Sequence, residues 1–132
     1  MAKIGSFGEI VFEVSEKITQ TFSNLKRSGS VRWAEHEVNQ KKPISEFIGA
    51  ELEEISFDIL LKAELGVNPS KQLEKLREIR DTGKVDYFII GGKPVSQNYW
   101  YIQQMSEAYN VIDSNGNILS AEVNVTLKEY RL

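Results

Sequence analysis

Apolar and polar residues alternate most cleanly between Glu54 and Ala63, where Ile55, Phe57, Ile59, Leu61 and Ala63 oppose Glu54, Ser56, Asp58 and Lys62. A period of two places each set on its own face of a strand, one face for a core and one for water. The same period is shorter in Ile10, Phe12 and Val14, which alternate with Glu9 and Glu13. It recurs in Val31 and Trp33 around Arg32, a strand running on toward Val38. Thr19 to Leu25 and Val85 to Ile90 also favour strand, through Thr21-Phe22 and Tyr87-Phe88-Ile89-Ile90. Near the end, Val123, Val125 and Leu127 face one way and Glu122, Asn124, Thr126 and Lys128 the other. Asp113-Ser114-Asn115-Gly116-Asn117 sits between the segments 98–111 and 118–130, and Asn-Gly is a strong hairpin signal. Ser28-Gly29-Ser30 and Gly91-Gly92-Lys93-Pro94 read as turns, and the polar, Pro-terminated stretch Asn39 to Pro43 as a loop.

One segment changes period. Leu73, Leu76 and Ile79 form a stripe, with Lys71, Glu74, Lys75, Glu78 and Asp81 mostly off it. Asn68 is placed to cap this helix, Pro69 to open it and Gly83 to end it. About three turns can cover one sheet but cannot make a bundle. The expectation is an α+β, mainly β fold, an antiparallel β-sandwich or barrel with one packed α-helix, in a single domain over residues 1–132.

The 132 residues are 41% hydrophobic and 10% aromatic, enough to build a core. The net charge of −3 and the lack of any basic run longer than two argue against a partner gripped through its phosphates. With no cysteine, disulfides, zinc thiolate sites and thiol catalysis are excluded. No window is long and apolar enough to span a bilayer and no export signal is evident, so a soluble protein made in the cytoplasm is expected.

Each candidate for chemistry has a plainer explanation. His36 is the only histidine; flanked by Glu35 and Glu37 it lacks the oriented partner a general base needs, and an ordinary surface histidine accounts for it. Glu51, Glu53, Glu54 and Asp58 are dense, but alternation splits them between faces and a solvated surface explains them. The loop from Asp113 begins like a calcium loop, yet Ile118 and Asn124 stand where Gly and Glu are required. Gly91-Gly92 has no phosphate-loop Lys downstream, and the sequon Asn124-Val125-Thr126 lies in a strand. Tyr99, Trp100, Tyr101 and Tyr109 suggest a base-stacking platform, but Gln103, Gln104 and Glu107 supply no basic groove, which favours packing in a core or a subunit interface. No pair makes a convincing acid and base or an activated nucleophile, so neither an enzyme nor a cofactor is expected.

The order of several motifs resembles the tail protein U family of contractile-tailed phages, the P-two-like myophages, shared with phage-tail-like bacteriocins. The motifs are Gly8-Glu9-Ile10-Val11-Phe12, Val31-Arg32-Trp33, Lys42-Pro43, Glu46-Phe47-Ile48-Gly49, the helix from Leu73 to Ile79 leading to Gly83-Lys84, Tyr99-Trp100-Tyr101-Ile102, and the closing Val123 to Lys128. Together they cover nearly the whole chain. After Gly49 the family commonly continues with Pro and Gly, whereas Ala50-Glu51-Leu52 stands here.

The resemblance implies a non-enzymatic structural protein, related to tail-tube subunits, forming a six-copy ring where the tube starts above the baseplate hub. Its implied neighbours are the tube protein, the hub protein and a LysM-containing baseplate protein. DNA would be cargo passing through the lumen, and assembly would take place in the host cytoplasm. Two alternatives remain: a tail terminator at the head-proximal end, and a small β-barrel binding a ligand or nucleic acid. On the ring reading, Glu54, Asp58 and Glu122 are candidates to line the lumen and repel phosphates. The segment Asn39 to Glu53, with Lys41, Lys42, Pro43, Phe47 and Ile48, is the candidate arm to a neighbouring subunit.

Overall fold

The alternating segments pair into antiparallel sheets in a computed structural model that describes residues 2–8, 10–14 and 19–132. In chain order the strands are β1 Ala2–Phe7, β2 Ile10–Val14, β3 Thr19–Gln20, β4 Phe22–Ser28, β5 Val31–Val38, β6 Lys41–Ala50 and β7 Glu54–Lys62. A 3₁₀ turn Ala63–Leu65 leads to α1 Pro69–Asp81, then β8 Phe88–Ile90, β9 Lys93–Pro94, β10 Tyr99–Ile112 and β11 Ile118–Tyr130. One sheet has the order β3-β2-β1-β8-β9, a second β10-β11-β7-β4, and β5 pairs with β6 alone. The sheets do not close into a barrel, which corrects that part of the expectation. Glu9 and residues 15–18 lie outside the described residues, so the alternation of Glu9 with Ile10 is not part of this account.

The inner faces of the two larger sheets meet in one cluster. Phe12 of β2 stands edge-on to Phe57 of β7 at 5.9 Å, and Phe57 stacks on Phe88 of β8 at 5.3 Å. Ile55, Ile59, Leu61, Val123, Val125 and Leu127 fill the same interior, as their period of two requires. The helix adds Leu73, Leu76 and Ile79. It is also clamped to β10, since Arg77 donates from Nη2 to Glu107 Oε1 at 2.7 Å and to the Tyr109 hydroxyl at 2.9 Å.

The helix ends follow the residues placed there. Asn68 Oδ1 accepts from the Lys71 backbone N–H at 3.2 Å, and Pro69 occupies the first turn, where no intrahelical N–H partner is lost. At the other end, Lys84 N–H reaches Ile79 O at 3.2 Å and Gly83 N–H reaches Arg80 O at 3.3 Å, the paired bonds of a Schellman stop. Gly83 has φ +67°, the left-handed conformation that this stop needs.

Four elements differ from the sequence expectation, one being the Gly91–Pro94 turn, where Lys93–Pro94 pairs with β8 as strand β9. Lys41 to Pro43 is the start of strand β6 rather than a loop, with only Asn39 and Gln40 forming the turn. The stretch Lys41 to Pro43 of this exposed hairpin has no face to bury and so shows no apolar alternation, and Pro43 is tolerated because each strand of a lone pair has a free edge. Val85 to Tyr87 joins no strand beyond a single bridge, Asp86 to Trp100. The first strand, Ala2–Phe7, was not foreseen: Gly5 and the register shift between Lys3 and Gly5 interrupt the apolar alternation that would mark it.

Candidate assembly surfaces

Two surfaces stand out. The first is the outer face of the β10-β11-β7-β4 sheet. Antiparallel partners share a face, and here Leu60 opposes Glu122, Asp58 opposes Asn124, Ser56 opposes Thr126 and Glu54 opposes Lys128. The three carboxylates proposed from sequence therefore lie together on one sheet face, across neighbouring strands.

Their settings differ. Asp58 Oδ2 accepts from Asn24 Nδ2 at 2.8 Å, and Oδ1 from Asn124 Nδ2 at 2.8 Å. Those amides, Asn24 first and then Asn124, hold the carboxyl below its ordinary range against the opposing effect of burial. Asn24 reaches Asp58 from an irregularity in β4, between Ser23 and Lys26, where it adopts φ +55°. Asn is among the few non-glycine residues that enter this left-handed region readily. Glu54 Oε1 pairs with Lys128 Nζ at 3.4 Å, and Lys26 opposes Ser56 on the same face. Glu122 is exposed. The face is thus polar and interleaved in sign rather than uniformly acidic.

The second surface is the β5–β6 hairpin. None of its residues is buried. At about 3.3 Å per residue it projects about 30 Å. Trp33 (57% exposed) and Phe47 (55%) stand opposite one another and meet edge-to-face at 5.2 Å. Ile44 is 61% exposed, and Val31 and Ile48 are exposed as well. The candidate arm residues Lys41, Lys42, Pro43, Phe47 and Ile48 all lie on β6.

The root of this hairpin is held firmly. Arg27 forms an ion pair with Glu53 and donates from Nη1 to Val95 O at 3.0 Å. Glu53 N–H donates to Glu129 Oε1 at 3.0 Å, and Asn98 Nδ2 donates to Glu129 Oε2 at 2.8 Å. Arg32 Nε lies 3.3 Å from Glu51 Oε1. A clamped base and an uncovered blade describe an arm, not a floppy loop.

The remaining sequence candidates do not converge. His36 lies on the arm, 2.7 Å from Glu46 Oε2 rather than from either flanking glutamate. Trp100 is fully buried, so it is core rather than a stacking surface, while Tyr99 meets Tyr87 edge-on at 4.6 Å. Asp113 accepts from the backbone N–H groups of Asn115 and Asn117 at 2.8 and 2.9 Å, which is turn chemistry. Among the described residues no cluster of three or more His, Cys, Asp or Glu is arranged to hold a metal. Among the same residues, no helix is long and apolar enough to cross a membrane. Sequence reasoning missed Asn24 and the Glu53–Glu129 contact. Nothing in the apolar pattern marks Asn24, because its role depends on a left-handed kink in β4.

The family profile of Phage P2 GpU matches residues 8–131. The chain belongs to the Phage P2 GpU family. Membership makes it a phage tail structural protein, assembled with other tail components. No curated protein matches it closely enough to add a second line of comparison. The motif order that suggested this family covers almost the same span, and the hairpin carries one of those motifs, Glu46-Phe47-Ile48-Gly49.

Proposed function

We propose that this member of the Phage P2 GpU family forms a six-copy ring at the junction of baseplate hub and tail tube, on which the tube starts. The observation that carries the reading is the β5–β6 hairpin, whose two strands have no buried residue yet present Trp33, Ile44, Phe47 and Ile48. A lone two-stranded hairpin is marginal in water. One that exposes such side chains gains most of its stability when a neighbour covers it. The neighbours in this reading are further copies, the tube protein, the hub protein and a LysM-containing baseplate protein.

The polar sheet face suits a lumen wall like that of tube subunits. Glu54, Asp58 and Glu122 would line it, moderated by Lys26 and Lys128, so that passing DNA is neither gripped nor strongly repelled. A headless tail-like particle would use the same wall without cargo.

Shortening the arm tests the function directly. The chain with residues 32–49 replaced by a short turn is supplied to tails lacking the native protein, and lysates are viewed by negative-stain electron microscopy. The expected result is a folded isolated domain and no tubes. Over-long tubes would indicate a terminator at the head-proximal end instead, and normal tails would contradict both.

A further inference from the structure

The loop between β10 and β11 carries the only Asn-Gly step in the chain, Asn115-Gly116. Asp113 N–H donates to Asn117 O at 2.9 Å and Gly116 N–H to Asp113 O at 3.1 Å, which closes the loop over Ser114, Asn115 and Gly116. Asp113 Oδ1 accepts from the backbone N–H groups of Asn115 and Asn117, and Oδ2 accepts from the Asn117 carboxamide at 3.1 Å. Of the two side-chain amides in the loop, that of Asn117 is therefore tied down. The Asn115 carboxamide has no partner among the described residues, and Asn115 is exposed. Gly116 is exposed beside it at φ +86°, with nothing within 4 Å of where a Cβ would stand.

Every other asparagine is restrained by a partner or by the residue that follows it. Asn24 and Asn124 donate to Asp58, Asn98 to Glu129 and Asn117 to Asp113. Asn68 caps the helix and precedes Pro69, which has no backbone N–H to give up. Asn39 and Asn110 are exposed and unbonded like Asn115, but Gln40 and Val111 follow them, and those side chains crowd the next backbone nitrogen. Gly116 has no side chain to do so.

We infer that Asn115 is a site of spontaneous covalent modification, losing its amide as ammonia through a cyclic imide with Gly116 and leaving a carboxylate at the loop tip. The Gly116 backbone nitrogen gives its proton to hydroxide and bonds to Asn115 Cγ. The bond from Cγ to the amide nitrogen breaks, and that nitrogen takes a proton from water and leaves as ammonia. Water then opens the imide. Breaking the bond from Gly116 N to Cγ gives an ordinary aspartyl residue, and breaking the bond to the Asn115 carbonyl carbon leads the chain through Cγ as isoaspartate. Neither an oxidant nor a cofactor enters. The Gly116 N–H must first leave Asp113 O, and a loop with nothing packed over it allows that. Both products add a negative charge beside Asp113. Isoaspartate also lengthens the backbone of a loop whose closing bonds depend on its length. The modification goes beyond the ring reading and does not rest on it.

Ageing the full-length protein in warm, mildly alkaline buffer tests the inference. Samples taken over days are digested, and tandem mass spectrometry locates each amide that has become an acid. Asn115 is expected to convert first, to a mixture of aspartate and isoaspartate, at a rate that rises with pH. Asn39 and Asn110, equally exposed and unbonded, are expected to lag by roughly an order of magnitude or more, because their successors carry side chains. Ion exchange should resolve an early acidic form of the wild type that Asn115→Ser, shown to be folded by circular dichroism, does not produce. Conversion at Asn39 or Asn110 as fast as at Asn115 would overturn the inference. So would an Asn115 that stays intact in the folded chain and converts only in urea, since the bond from Gly116 N–H to Asp113 O would then shield it.

Discussion

Asp58 keeps its charge through two amides rather than a cation, and that choice has a pH signature. Its folded-state pKa is lowered, so the stabilisation exists above the unfolded value near 4 and is lost as pH falls through the folded value. Asp58→Asn sets an amide N–H₂ against the Asn24 and Asn124 donors. It is expected to cost about 1 kcal/mol at pH 7, modest because the site is open to water. Urea unfolding at pH 7 and pH 3 checks this: the gap between wild type and variant should close at the lower pH, and a gap unchanged with pH would remove the charge from the explanation. Gly5 acts through space instead. A Cβ there would collide with the carbonyl oxygen of Ile89 on the neighbouring strand. Gly5→Ala is expected to cost on the order of 2 kcal/mol in chemical denaturation as β1 separates from β8. Neither role was legible in the sequence. The alternation identified the face of Asp58, but its partner Asn24 depends on a left-handed kink that no period reveals, and Gly5 on a strand pairing with Ile90, 85 residues away.

Elements were legible in proportion to how much they bury. Strand β7 and helix α1 each hide a full stripe of side chains, so their periods are strong and their bounds close to expectation. The helix caps are local chemistry and were readable for that reason. Asn68→Ala removes the bond to Lys71 N–H and is expected to lower stability by about 1 kcal/mol, measurable by thermal or denaturant unfolding. Strand β6 was unreadable because it buries nothing in its own chain, so Lys41, Lys42 and Pro43 follow no core-facing period. The same fact predicts that the arm and the body are energetically separate. Shortening the hairpin should leave the melting temperature of the body within a few degrees. Glu53→Ala, by contrast, should speed hydrogen exchange across β5 and β6 without changing global stability, because it removes the root contacts with Arg27. Equal exchange in the variant and the wild type would mean that the root is not what orients the arm.

At the scale of the molecule, one side of the four-stranded sheet is committed to the core and the other is left polar, with an uncovered arm at one end. Antiparallel β architecture with one packed helix followed from pattern alone. Whether the strands closed into a barrel did not, since closure depends on edges that strand periods do not describe. The family followed from the order of motifs, and assembly geometry is the part that a single chain carries only as unfinished surfaces. Cryo-electron microscopy of the intact tail tests the central claim most directly. The account predicts six copies in a ring between hub and tube, with Glu54, Asp58 and Glu122 facing the lumen and every β5–β6 arm covered by a neighbour. A ring whose polar sheet face points outward, or arms left bare in the assembled particle, would contradict it.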